Sequence, residues 1–270
     1  MTVEANGLRF HLVDEGDGPP VVLLHGFPDT SAVWRHQLPM LTAAGFRAIA
    51  PDMRGRGRSD RPTDVDSYRL TNIVADVTGI LDALGLERAH VVGHDWGAAA
   101  AWLVASLAPQ RVDRLVAISV GFPGAERPNR RMLEQAWYRL LFLFPEAEEL
   151  LRRDDWYLLR ELFGDAPDAA RYLVDLAEPE ALTAGLNWYR ANLPVSRLAA
   201  SSPQLPVVAA PTLGIFGETD PYLSEGAMRA SGTHVTPGRW RYEQLPNTGH
   251  WPQLEQTHTL DELLLEFLTA

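Results

Sequence analysis

Residues 89–107 read AHVVGHDWGAAAAWLVASL, and the fold is decided there. Ala89 to His94 reads as a strand and Trp96 to Leu107 as a helix. At their junction, Gly93-His94-Asp95-Trp96-Gly97 has the G-x-nucleophile-x-G spacing of a nucleophile elbow, with aspartate where serine is usual. The glycines permit a turn sharp enough to expose the central side chain at the strand end. A plainer role for aspartate at this place is to cap the helix that follows. The segments on either side bear on which role applies.

Upstream, Asn6-Gly7 is a type I′ hairpin signal leading into the alternating segment Leu8 to Asp14. Val21 to Leu24 is a continuous apolar run, as expected of a strand buried on both faces. A helix is expected from about Ala32 to Ala44 and a strand from Phe46 to Ala50. Ile73, Val74, Val77, Ile80, Leu81 and Leu84 fall on one face of a helix that Gly85 ends. Downstream, Leu115 to Val120 reads as another strand. Such alternation implies a mostly parallel sheet with helices on both faces.

The pattern breaks after Val120. Residues 121–206 are rich in helix formers and aromatics and contain no convincing strand. Alternation returns with strands at Pro211 to Phe216 and Trp240 to Leu245 and a helix near Leu260 to Leu268. The expected organisation is therefore a core of 1–120 and 207–270, with 121–206 inserted as a helical cap. The cap would cover the carboxyl edge of the sheet, where open parallel sheets place ligands.

Three loops at strand ends carry chemistry. His25-Gly26-Phe27-Pro28 follows the strand Val21 to Leu24. In elbow-type hydrolases this loop and the residue after the nucleophile supply the two N–H groups of an oxyanion hole, here Phe27 and Trp96. Gly217-Glu218-Thr219-Asp220 follows Phe216, and Gly249-His250-Trp251 follows the last strand. The order Asp95, Asp220, His250 is nucleophile, acid, base, with Asp220 orienting the imidazole. Glu218 is the rival acid; Asp220 is preferred because it lies further past the strand end. His25 and His94 are read as structural.

Composition narrows the setting. The chain has 270 residues, a net charge of −11, no cysteine, and arginine as its only strongly basic residue. Disulfides, thiolate metal sites and lysine Schiff bases are excluded. The acidic balance argues against nucleic acid or an anionic membrane as partner. No signal peptide is visible, and the longest apolar run, about Ala98 to Ala108, falls short of the ~20 residues that span a bilayer. A cytoplasmic protein with no cofactor and no metal is expected, as monomer or homo-oligomer.

HGFP, the Asp52 to Ser59 segment DMRGRGRS, GHDWG and the terminal GHW together resemble the α/β-hydrolase-fold epoxide hydrolases, from about Leu8 to Leu268. DMRGRGRS has no P-loop spacing and reads as a structural loop. The resemblance implies an α/β-hydrolase fold and a small apolar or aromatic epoxide as substrate. An aspartate nucleophile suits displacement at saturated carbon, because attack on an ester would leave a reactive anhydride. In the family two cap tyrosines donate to the epoxide oxygen. Of Tyr138, Tyr157, Tyr172 and Tyr189 in the insertion, Tyr138 in WYRLLF and Tyr189 in NWYR match their settings. Trp137, Phe142, Trp188 and Trp251 are candidates for the apolar substrate wall. A haloalkane dehalogenase using the same aspartate is the alternative, although Phe27 stands where those enzymes tend to carry asparagine. A binding module that has lost turnover is a third reading, opposed by the retained Asp95, Asp220 and His250.

Overall fold

The computed structural model describes residues 1–127, 129–194 and 204–270. Pro128 and residues 195–203, which belong to the expected insertion, lie outside the described residues. Eight strands form one sheet: β1 (Thr2–Ala5), β2 (Leu8–Glu15), β3 (Pro20–Leu24), β4 (Arg47–Pro51), β5 (Ala89–His94), β6 (Val112–Ile118), β7 (Thr212–Gly217) and β8 (Trp240–Leu245). Their order is β1-β2-β4-β3-β5-β6-β7-β8. β1 and β2 are antiparallel, β2 is antiparallel to β4, and the remaining pairs are parallel. Asn6 and Gly7 join β1 to β2 with φ of 48° and 76°, the two positive values a type I′ turn requires.

The parallel strands are apolar because both of their faces are covered. Val21, Val22, Leu23 and Leu24 are all buried, and β3 packs between β4 and β5. Helix α3 (Trp96–Leu107) is buried along its length except at Leu107 and lies on β3, β5 and β6. Its run of alanines lets the helix approach the sheet closely. α2 (Leu70–Ala83) packs beside α3, while α1 (Gln37–Ala43) packs on β4 and against the helix Thr257–Thr269.

One expected helix is divided. The segment 32–44 forms a short 3-10 turn at Ser31–Trp34 and then α1 from Gln37. Pro39 explains the break. A proline inside a continuous helix would lack its N–H and clash with the carbonyl four residues back, whereas the first turn of a helix tolerates it.

Between β6 and β7 the described chain is helical: α4 (Arg130–Gln135), α5 (Trp137–Phe142), α6 (Ala147–Phe163), α7 (Ala169–Ala177) and α8 (Ala181–Asn192). α8 is tied to the sheet side by polar bonds. Asn192 Nδ2 donates to the Tyr68 carbonyl at 2.8 Å, and Trp188 Nε1 donates to the Arg54 carbonyl at 3.1 Å. Among the described residues no helix is long and apolar enough to cross a membrane.

Candidate active site

Parallel register gathers the strand ends. Leu24 pairs with Gly93, and His94 pairs with Ile118, so the loops after β3, β5 and β6 open on one edge. Asp95 has φ 52° and ψ −122°, a left-handed conformation that costs a non-glycine residue about 1–3 kcal/mol. Close packing enforces it. A Cβ on Gly93 would lie 2.3 Å from the Gly97 carbonyl oxygen, and one on Gly97 would lie 2.1 Å from that of Leu24. The side chain makes no cap hydrogen bond to α3. Instead Oδ1 accepts the Phe27 N–H at 2.8 Å, and Oδ2 stands 3.8 Å from Nε2 of His250.

On its other side His250 offers Nδ1 to Asp220 Oδ2 at 2.8 Å. Asp220 Oδ1 is held in turn by the Tyr222 N–H at 2.8 Å and the Leu223 N–H at 3.2 Å. Glu218 does not reach the imidazole; its Oε2 accepts the Asn247 N–H at 2.9 Å. The carbonyl of His250 receives Ser119 Oγ at 3.1 Å and His94 Nε2 at 2.7 Å. His94 therefore fixes the backbone of His250. His25 plays a similar structural part, with Nε2 accepting the Met53 N–H at 2.9 Å. Burial lowers His25 to about 4 and His94 well below the ordinary imidazole value, so both are neutral.

Burial pushes the Asp95 carboxyl above the usual carboxylate range, opposed by His250 and by the Phe27 and Trp96 amides. Burial also disfavours a charged His250, but Asp220 and Asp95 on either side outweigh it and raise the imidazole.

Two cavities meet at Asp95. The larger, about 300 Å³, is bounded by Asp95, Tyr138 and Tyr189 and by apolar walls including Trp96, Val120, Phe122, Met132, Leu193 and Leu223. That is the lower end of the range for small-molecule sites. The smaller, about 20 Å³, lies among Asp95, His250, Phe27, Tyr222 and Trp251. It has room for one water. Tyr138 and Tyr189 are buried, with ring centroids 6.2 Å apart, and both face the two cavities. Among the described residues no group of three or more His, Asp or Glu side chains is arranged to hold a metal ion.

The aromatic candidates for the substrate wall are placed elsewhere. Trp137 is 51% exposed. It precedes Tyr138 in α5, and neighbours on a helix point about 100° apart, so only one of them turns inward. Phe142 is fully buried behind the site, edge-on to Phe27, Tyr138 and Tyr189 at 5.0–5.6 Å. Trp188 packs on Trp96 at 5.8 Å but does not line the larger cavity. Trp251 borders only the smaller one, with Nε1 donating to Asp29 Oδ2 at 3.1 Å.

Two features escaped the sequence reading, and a third was read there only as a structural loop. Tyr222 borders both cavities and packs edge-on to His250 at 5.1 Å; its place two residues after Asp220 was the available signal. Arg139 lines the larger cavity and donates from Nε to Tyr138 Oη at 3.3 Å. The DMRGRGRS loop braces the site: Arg56 donates to the carbonyls of Pro28 and Asp29, and Asp52 accepts the Ser31 and Arg58 N–H groups at 2.9 and 3.0 Å.

Residues 19–257 match the alpha/beta hydrolase fold family. Epoxide hydrolase A of Mycobacterium tuberculosis is 34% identical, over 99% of this chain and 96% of its own. The AB hydrolase superfamily protein YfhM of Bacillus subtilis is 35% identical, over 98% and 96%. The crystal structure of an epoxide hydrolase from Bacillus megaterium superposes with a TM-score of 0.90, covering both chains completely at 26% identity. Fold, strand-end motifs and these relatives converge: the chain belongs to the α/β-hydrolase-fold epoxide hydrolase family.

Proposed function

We propose that this protein hydrolyses epoxides to vicinal diols through a covalent ester on Asp95. The observation that carries the proposal is the setting of Asp95: one oxygen on the Phe27 N–H, the other facing His250, beneath two buried tyrosines. The relatives named epoxide hydrolases match nearly the whole chain and support the same substrate class.

In the first half-reaction a carboxylate oxygen of Asp95 attacks an epoxide carbon. The carbon–oxygen bond breaks, its electrons pass to the ring oxygen, and the tyrosine hydroxyls donate to that oxygen. In the second, a water gives its proton to His250 and its hydroxyl to the carboxyl carbon of Asp95. The tetrahedral oxyanion remains on the Phe27 and Trp96 N–H groups, and the small cavity beside His250 suits the water. Collapse releases the diol, whose ester oxygen takes the proton from His250, and leaves Asp95 with the water's other proton, which makes good the one given to the ring oxygen. Charge favours this order. Asp95 raises the imidazole while ionised; once esterified it is neutral, and His250 becomes easier to deprotonate when a base is needed.

On this reading residues 121–206 act as a cap that brings the tyrosines over a core of 1–120 and 207–270. Incubation with styrene oxide should yield the phenyl diol, with no halide released from a comparable bromoalkane. Halide release without diol would favour the dehalogenase reading, which the two tyrosines and Phe27 oppose.

A further inference from the structure

Tyr138 and Tyr189 face the same cavity but are not equivalent. The guanidinium of Arg139 donates from Nε to Tyr138 Oη at 3.3 Å, and its carbon lies 5.7 Å from the centre of that ring. Among the described residues Tyr189 receives no hydrogen bond from a charged donor; Phe27, Trp96, Phe142 and Tyr138 surround its ring edge-on. Arg139 lines the larger cavity, and among the described residues its side-chain hydrogen bond goes to Tyr138.

We propose that Arg139 is a positioning residue for ring opening, and that through it Tyr138, rather than Tyr189, passes a proton to the epoxide oxygen. This rests on the epoxide-opening reading above. A phenol oxygen that accepts from a cation is a better donor through its own hydrogen, because the phenolate left behind is stabilised. The guanidinium bond occupies an acceptor site of Tyr138 Oη and leaves its proton free to face the ring oxygen. As Asp95 attacks and the carbon–oxygen bond breaks, the Tyr138 proton goes to the new alkoxide, leaving a phenolate beside Arg139. After ester hydrolysis Asp95 carries one proton more than its resting carboxylate; that proton returns to Tyr138 through solvent, and the cycle closes.

The other groups facing Tyr138 do not supply this assistance. Asp95 and Asp220 are anionic and oppose loss of its proton, and Tyr189 and Tyr222 meet its ring edge-on at 6.2 and 5.8 Å. Burial raises both phenols, Tyr189 well above its ordinary value; the charge of Arg139 opposes this at both, and its hydrogen bond does so at Tyr138 alone.

Single-turnover mass spectrometry with styrene oxide tests this, because it measures ester formation and ester hydrolysis separately. Arg139→Met should slow ester formation about tenfold or more and move its alkaline limb upward, while ester hydrolysis stays within about twofold. Arg139→Lys should recover most of the rate. Tyr138→Phe should slow ester formation more than Tyr189→Phe, and that difference should shrink in the Arg139→Met background. An unchanged hydrolysis step doubles as proof that the variant is folded; if Arg139→Met does not fold, the Arg139→Lys limb and the ranking of the two tyrosine variants decide. Ester formation by Arg139→Met at the wild-type rate with an unmoved limb would overturn the assignment, as would Tyr189→Phe being the slower variant. An arginine serving only to bind an acidic substrate tail would give that result with this neutral epoxide. If the wild-type protein forms no ester at all, the epoxide-opening reading itself fails, and this inference with it.

Discussion

The backbone N–H of Phe27 holds Oδ1 of Asp95 at 2.8 Å across 68 residues of chain. Gly26 makes that contact possible. A Cβ there would lie 2.2 Å from Asp95 Oδ1 and 2.4 Å from its Cβ. Gly26→Ala should therefore displace the carboxylate or the loop and lower kcat/KM on an epoxide about 100-fold, the scale of a misplacement near 1 Å. Steady-state kinetics beside a thermal melt would separate misplacement from unfolding.

The two acidic residues after β7 should behave oppositely. Asp220 bonds His250, whereas Glu218 bonds the Asn247 amide. Asp220→Asn should slow ester hydrolysis by on the order of 10³ or more, since the imidazole loses the group that fixes its tautomer. Asp220 also raises His250, so the acid limb of the hydrolysis step should move to lower pH in the variant. Glu218→Gln should leave rate and limb in place. Pre-steady-state kinetics across pH would check both.

Trp137 and Phe142 sit at the two ends of α5 and should also diverge. Trp137→Ala removes a half-exposed ring and should change stability by no more than about 0.5 kcal/mol. Phe142→Ala empties space behind Phe27 and both tyrosines and should cost about 3–5 kcal/mol. Denaturant titration would measure both.

Asp29 makes stability depend on pH. Burial raises its carboxyl from 3.8 to about 7, and the Trp251 indole N–H only partly offsets this. A group raised in the folded state contributes fully below its unfolded value and loses that contribution as pH rises through the folded one. Asp29→Asn should match the wild type below about pH 4 and gain on it as pH rises to about 7, by roughly 1–3 kcal/mol in all. His94 Nδ1, which has no hydrogen-bond partner among the described residues, stands 3.9 Å from Asp29 Oδ2 and is the acceptor that a small shift of the new amide would reach. Melting temperatures from about pH 3 to about pH 8 would reveal the divergence.

The strands and the elbow were legible because each is dictated by local chemistry. Continuous apolar runs mark doubly covered strands, and Gly93 and Gly97 are imposed by backbone contacts that any side chain would violate. Asp95, Asp220 and His250 could be placed at strand ends without knowing their contacts. Residues whose role depends on helix phase were less accessible. Trp137 and Tyr138 are adjacent in sequence, and residue type does not say which turns inward. Arg139 reads as a surface charge until α5 is packed, when it is found on the cavity wall. The break near Pro39 was missed: proline chemistry was the available signal, and the surrounding helix formers concealed it.

A single turnover of epoxide in oxygen-18 water, with enzyme in excess, tests the covalent ester most directly. Water should attack the carboxyl carbon of Asp95, so the heavy isotope should appear in the Asp95 peptide while the first diol remains unlabelled. Label in the diol with none in Asp95 would mean that water opens the ring directly, contradicting the account.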